Sequence, residues 1–221
     1  MTDHLLRWCE IRDQIPWHQT RRTPDTPHRP PTAQRDGIAH HITTAVHARD
    51  PQRAERLLSA YRQAHADAAA RRPLDFERLA RWQQNVLGTT RTPFRSGTAY
   101  AKAGRERYGL HPDTPARFEA CLAQTPEPAL PVAARAARVY LDVCFFHPFD
   151  DGNARSALLA LAHTLAADDI VLDHTGPLFH LQRPADDPAG ARALADLIAA
   201  LVEHTQQRHQ QTTRLRSAGP A

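Results

Sequence analysis

Apolar residues in this chain fall mostly three and four positions apart, the spacing of one buried face of an α-helix. Leu5, Leu6, Trp8 and Cys9 follow Asp3, whose carboxylate suits a helix start, and this short helix ends before Pro16. A second helix is expected from about Asp36 to His47. A third runs from Gln52 to Ala70, where Leu57, Leu58, Tyr61, Ala64, His65 and Ala68 share a stripe. Asp75 makes an N-cap for a helix through Leu87, with Leu79, Trp82 and Val86 on one side and Gly88 as its stop. Ala116 to Ala123 forms a short helix. Ala133, Ala136, Ala137, Tyr140, Val143 and Cys144 then trace the i, i+3, i+4, i+7 pattern, with alanines small enough to let neighbours approach closely. Ser156 to Ala167 is apolar nearly all round, which places it at the centre of the core. A last helix, about Ala189 to Gln207, carries Leu194, Leu197, Ile198, Leu201 and Val202 on one face, and the polar tail beyond it is expected to fray.

Two stretches break the helical pattern. From Thr20 to Thr32, prolines and arginines with little apolar content read as an extended linker. Between Thr89 and Leu110, Phe94, Thr98, Tyr100 and Tyr108 sit among glycines and basic residues, favouring a loop or short hairpin. The expected fold class is all-α, with an N-terminal helical extension over 1–72, a core over 73–206 and a polar, flexible tail over 207–221.

Composition narrows the function classes. The chain has 221 residues, enough for one sizeable core, and 41% of them are hydrophobic. Its formal charge of +4 comes from arginines spread among acids instead of one basic block, which argues against direct nucleic-acid binding. Cys9, Cys121 and Cys144 are too few and too scattered for a disulfide framework or a zinc site. Charges interrupt the first sixteen residues, and no run of some 20 apolar residues occurs, so the expectation is a cytoplasmic protein without a membrane span. His40 and His41 adjoin on one helix and cannot face the same way, while His163 and His180 lack a partner at ligand spacing.

The most informative stretch is His147-Pro148-Phe149-Asp150-Asp151-Gly152-Asn153-Ala154-Arg155, running straight into the apolar helix. At a helix start, free N–H groups and the positive end of the peptide dipoles attract an anion, and Asp151-Gly152-Asn153 makes a turn tight enough to aim several together. His147, just before that turn, can serve as a general base for an incoming hydroxyl. Phe149 anchors the loop on the core and Pro148 stiffens it. Asp150 faces solvent or caps the helix.

This stretch reads H-x-F-x-[D/E]-G-N-x-R and resembles the signature of the Fic family, enzymes that transfer part of a nucleotide or phosphate ester onto a hydroxyl group. The resemblance implies a helical Fic-type core with a short β-hairpin flap. It implies an α-phosphate bound at Gly152, Asn153 and Ala154, with Asn153 donating to it, a β-phosphate neutralised by Arg155, and Mg²⁺ held by Asp151. It implies a flap near Arg95, Ser96, Gly97 and Thr98 that pairs with an extended segment of a target protein. On the residues alone that segment reads equally as a surface hairpin, and Arg95, Lys102 and Arg105 read as solvated charge ahead of a role in steering a phosphate ligand. The expected cofactor is Mg²⁺ and the expected donor is a nucleotide, ATP foremost.

Two positions depart from the pattern G-N-G-R-x-x-R of the AMP-transferring members. Ala154 replaces the second glycine, and it also differs from the lysine of the phosphate-transferring Doc branch. Leu158 replaces the second arginine and cannot meet a γ-phosphate by charge. Three readings follow: transfer of a nucleoside monophosphate to a protein hydroxyl; the same fold using a diphosphate-linked donor or a small-molecule acceptor; or a nucleotide-binding regulatory pseudoenzyme. The inhibitory pattern S/T-x-x-x-E-G/N found in many members is absent, because no glutamate precedes Gly or Asn. Restraint by that route is therefore not expected, and a separate inhibitor protein stays possible as a partner.

Overall fold

In the computed structural model, residues 2–21, 35–180 and 184–217 are described, with side chains as far as residue 211. They form eight α-helices: α1 His4–Ile11, α2 Gly37–His41, α3 Pro51–Ala69, α4 Phe76–Leu87, α5 Thr114–Ala123, α6 Val132–Phe146, α7 Asn153–Ala167 and α8 Pro188–Ser217. Two three-residue strands, β1 Ala99–Ala101 and β2 Glu106–Tyr108, pair antiparallel with Ala99 opposite Tyr108. The all-α class and the short hairpin expected from the sequence are both present. None of the described helices is long and apolar enough to cross a membrane.

Capping explains where the helices begin. Asp3 accepts from the Leu5 and Leu6 amides, Asp36 from Ala39, Asp50 from Arg53 and Asp75 from Arg78, each satisfying an N–H that the first turn leaves without a helical partner. Gly88, at φ 68°, ends α4 in the left-handed conformation that glycine adopts at least cost. The second helix does not stay regular to its end, since Ile42–Val46 widens into a π-turn.

α6 and α7 are the centre of the molecule. Ala133, Ala134, Ala136, Ala137, Val143, Ala157, Leu159 and Ala160 on the two helices are all fully buried. The small side chains let the two backbones pack closely, and α3 and α8 cover the outside of this pair. At the other side, α1 is fastened to α6 by a buried ion pair. The Arg12 guanidinium donates to both Asp142 oxygens at 2.7 and 2.8 Å, and Trp8 Nε1 donates to the same carboxylate at 2.9 Å. That carboxylate holds the Arg12 pKa above its ordinary range despite the opposing cost of burial.

α8 departs from the expected end near Gln207 and continues to Ser217, so residues 207–217 of the expected flexible tail are helical. Gln, Thr and Arg do not oppose helix, and once a helix is docked by its apolar face it can propagate past it. Most of the linker expected over 20–32, and the tail beyond 217, lie outside the described residues.

Candidate active site

α6 ends at His147, which takes φ 50° and ψ 53°. A left-handed conformation is uncommon for a residue with a β-carbon and costs on the order of 1 kcal/mol or more. Here it turns the chain sharply enough for Pro148 and Phe149 to dive back onto the core. Phe149 is 1% exposed and stacks on Phe76, with ring centroids 5.5 Å apart.

His147 Nδ1 lies 2.9 Å from the Cys144 carbonyl oxygen. A carbonyl only accepts, so Nδ1 carries the proton and the neutral ring keeps its lone pair on Nε2. Tyr108 of β2 stacks on the imidazole, centroids 4.3 Å apart and planes 14° from parallel. Burial lowers the His147 pKa below its ordinary value, the Cys144 hydrogen bond opposes that shift, and the nearby Arg95 charge adds to it. The ring is therefore a neutral base at pH 7, held by a carbonyl on one edge and an aromatic face on the other.

The turn after it is closed by side chains. Asn153 Oδ1 accepts from the Phe149 amide at 3.0 Å and its Nδ2 donates to the Phe149 carbonyl at 2.7 Å. Both ends of the Asn153 amide are thus engaged within the loop. Asn153 also offers its backbone N–H: as the first residues of α7, Asn153 and Ala154 have no residue one turn earlier in the helix to accept from them. Arg155 and Ser156 amides instead donate to the Gly152 carbonyl at 3.0 Å each.

Gly152 sits at φ 78°, and a β-carbon there would come within 2.5 Å of Gln83 Nε2. The left-handed conformation favours glycine, and a side chain there would also displace the Gln83 amide. Gln83 itself is fully buried, donates to the Asp151 carbonyl at 2.6 Å and accepts from the Ser156 hydroxyl, so it fastens α4 across the turn and the start of α7. Sequence reasoning missed it. The available signal was a polar side chain among Leu79, Trp82 and Val86, the apolar stripe of α4.

Asp151 lies outermost. Its Oδ1 accepts from the Gly152 amide at 2.6 Å, and its Oδ2 accepts from Arg155 Nη2 at 3.2 Å. The Asp151 side chain is 76% exposed, whereas that of Arg155 is 18% exposed. Burial lowers the Arg155 pKa, Asp151 opposes this, and the charges of Arg53 and Arg56 lower it further. Asp150 is exposed. Among the described residues no group of three or more His, Cys, Asp or Glu could hold a metal ion by itself. A lone, hydrated carboxylate fits a Mg²⁺ ion that takes its remaining ligands from phosphates and water.

The hairpin segment is brought to the same place, in a way the sequence did not suggest. Ser96, Gly97 and Thr98 are exposed ahead of β1, but Arg95 is 3% exposed and is not a solvated charge. Its Nε donates to the His147 carbonyl at 2.9 Å and its Nη2 to the Gly109 carbonyl at 2.6 Å, while Nη1 donates to the Gly97 carbonyl. Arg95 therefore ties both ends of the hairpin to the base. Lys102 pairs with Glu106 at 2.7 Å and Arg105 donates to the Lys102 carbonyl, so neither reaches the turn through these contacts. Beside Arg155 a cavity of about 260 Å³ is lined by His41, Leu57, Leu158, Leu161 and Phe179 among others, and it is mostly apolar.

Comparisons with known proteins place this geometry. Residues 73–165 match the model of the Fic/DOC family. A Fic-domain-containing signaling protein from Bacteroides thetaiotaomicron is similar in structure at a TM-score of 0.55 and 12% identity, covering 93% of this chain and 88% of that one. Fic-1 (aa134 - 508) from C. elegans is similar at a TM-score of 0.56 and 13% identity, covering 96% of this chain and 72% of that one. No curated protein matches the chain significantly.

Proposed function

We propose, on the premise of the match of residues 73–165 to the Fic/DOC family, that this chain transfers a nucleoside monophosphate, AMP from ATP foremost, onto a hydroxyl group of a protein. The observation that supports this most is the juxtaposition of a neutral imidazole, its Nδ1 proton fixed by the Cys144 carbonyl, with a helix start bordered by Asp151 and Arg155. An anion at the α7 start meets the Asn153 and Ala154 N–H groups and the positive end of a fifteen-residue helix. The target hydroxyl gives its proton to His147 Nε2 as its oxygen attacks the α-phosphorus. The bond from that phosphorus to the bridging oxygen breaks on the opposite side, and the leaving pyrophosphate takes the electron pair next to Arg155. Asp151 would hold Mg²⁺ together with phosphate oxygens, and the ion would neutralise charge on the diphosphate. The exposed Ser96, Gly97 and Thr98, leading into β1, offer an edge along which an extended segment of the target can lie.

The test is incubation of the wild type and His147→Ala with α-labelled ATP, CTP, GTP or UTP, Mg²⁺ and candidate proteins. General-base removal is expected to lower transfer about 10² to 10⁴-fold while leaving nucleotide binding in place. Absence of His147-dependent label with all four donors contradicts the proposal.

A further inference from the structure

Arg53 and Arg56 lie one turn apart near the start of α3, next to Leu57, which lines the cavity beside Arg155. Arg53 has the exposed Asp50 carboxylate 3.6 Å away. Arg56 is different. Among the described residues it is the half-buried arginine without an ion pair or hydrogen bond, and its Nε is covered from solvent without a partner. Its stem packs over Gly88, where a β-carbon would lie 3.1 Å from Arg56 Cδ. Arg155 Nη1 reaches toward the Val86 carbonyl, 3.4 Å away, at the same end of α4. Arg56 and Arg155 therefore meet at the C-terminal turn of α4, with Arg53 near enough to act on Arg155 by charge, and among the described residues the carboxylates paired to these three are those of Asp50 and Asp151. The charges of Arg53 and Arg56 are near enough to disfavour the protonated form of Arg155.

A half-buried cation without a counter-ion, among like charges, is destabilising until an anion arrives. On the transfer reading, one phosphate of the donor sits at the α7 start beside Arg155. We propose that Arg56, backed by Arg53, receives the terminal phosphate of a nucleoside triphosphate whose α-phosphate sits at the α7 start. This rests on the nucleotidyl-transfer reading above and makes the donor a triphosphate. Arg56 then supplies from α3 the cation that Leu158 does not supply from α7. The departing pyrophosphate carries its new negative charge between Arg155 and Arg56. The apolar cavity points to a competing occupant, an uncharged group esterified to a diphosphate, but such a group would leave Arg56 as unpaired as before.

Calorimetric titration with ATP, ADP and the phenyl ester of ADP, in Mg²⁺ and without acceptor protein, separates the two. Wild type is expected to bind ATP about ten-fold or more tighter than ADP, the ratio that a charge-assisted contact to one further phosphate supplies. In Arg56→Ala that ratio falls toward one while ADP affinity changes little, Arg56→Lys keeps part of it, and Arg53→Ala lowers it less. Without nucleotide, Arg56→Ala is expected to melt no lower than wild type, which a merely structural arginine would not allow. An unchanged ATP to ADP ratio in Arg56→Ala overturns the proposal, as does tighter binding of the phenyl ester than of ATP to wild type. If His147-dependent transfer persists in either case, only this assignment of Arg56 fails. If no nucleotide binds wild type, the transfer reading fails and takes this one with it.

Discussion

Arg95→Ala should uncouple the hairpin from the catalytic turn. The arginine is 3% exposed and donates through Nε to His147, through Nη1 to Gly97 and through Nη2 to Gly109, with a longer contact to the Phe146 carbonyl at 3.4 Å. Among the described residues no carboxylate lies within ion-pair distance of it, so carbonyl dipoles, with Asp3 and Asp150 farther off, hold the charge, and burial lowers its pKa. A hydrogen bond to a charged group contributes about 1.5 to 3 kcal/mol, and bonds in one network do not add fully. Truncation removes three such bonds and leaves carbonyls of the α6 end and the hairpin base without donors. The expected loss is about 3 to 5 kcal/mol. For a chain of this size that lowers the melting temperature by roughly 6 to 20 °C. Urea unfolding measures the loss, and hydrogen exchange locates it: amides at Ala99–Ala101 and Glu106–Tyr108 should exchange much faster, those in the middle of α6 and α7 in step with global stability. A loss below about 1 kcal/mol with unchanged hairpin exchange refutes the coupling, since a surface arginine would behave that way.

Asn153→Ala should cost about 2 to 4 kcal/mol because the Phe149 amide and carbonyl both lose their partner; unchanged thermal stability with a large loss of nucleotide affinity would instead place that side chain on the ligand. Asp142→Asn leaves the buried Arg12 guanidinium with only the exposed Asp13 carboxylate as counter-charge among the described residues and is expected to cost about 3 kcal/mol in urea unfolding. His163 is buried and its pKa is lowered to about 4, chiefly by burial. The unfolded chain, with an ordinary histidine, binds a proton between about pH 6.5 and that lower value while the folded chain does not. Stability should therefore fall as pH drops through this window, by about 3 kcal/mol from this one group, and His163→Phe should flatten the pH dependence; equal slopes for both proteins refute it. For His147 the same direction of shift means that the base becomes charged only below its ordinary range, so the acid limb of kcat/KM should lie below pH ~6.5. A limb above that value contradicts a half-buried, neutral base.

Much of the fold was legible because local signals and global packing agree. Asp3, Asp36 and Asp75 cap the helices they were expected to begin, and Gly88 ends α4 where a left-handed residue was needed. The end of α8 was not legible, since a polar helix carries no apolar stripe to mark where it stops. Within the site, residue identity spoke for the turn but not for the direction of each side chain. The Asn153 amide could turn outward to a ligand or inward to the loop, and only the packed loop shows it bonded to Phe149. Arg95 read as one more solvated charge, and Arg56 carried no signal of its own in the sequence. Their burial depends on which backbone arrives from the motif and from α4, a long-range fact that no local window holds. Gln83 alone left a trace, as a polar residue on a buried helix face.

In the proposed reaction the start of α7 grips the α-phosphate of a nucleotide beside the His147 base. A crystal structure of the protein with Mg²⁺ and an ATP analogue that cannot be cleaved between the α- and β-phosphates tests it directly. The expected result is an α-phosphate oxygen within hydrogen-bond distance of the Asn153 and Ala154 amides, a β-phosphate at Arg155, and His147 Nε2 facing the position from which a hydroxyl would attack. Analogue bound elsewhere, or the phosphates at the α7 start with His147 Nε2 turned away from the α-phosphorus, contradicts it.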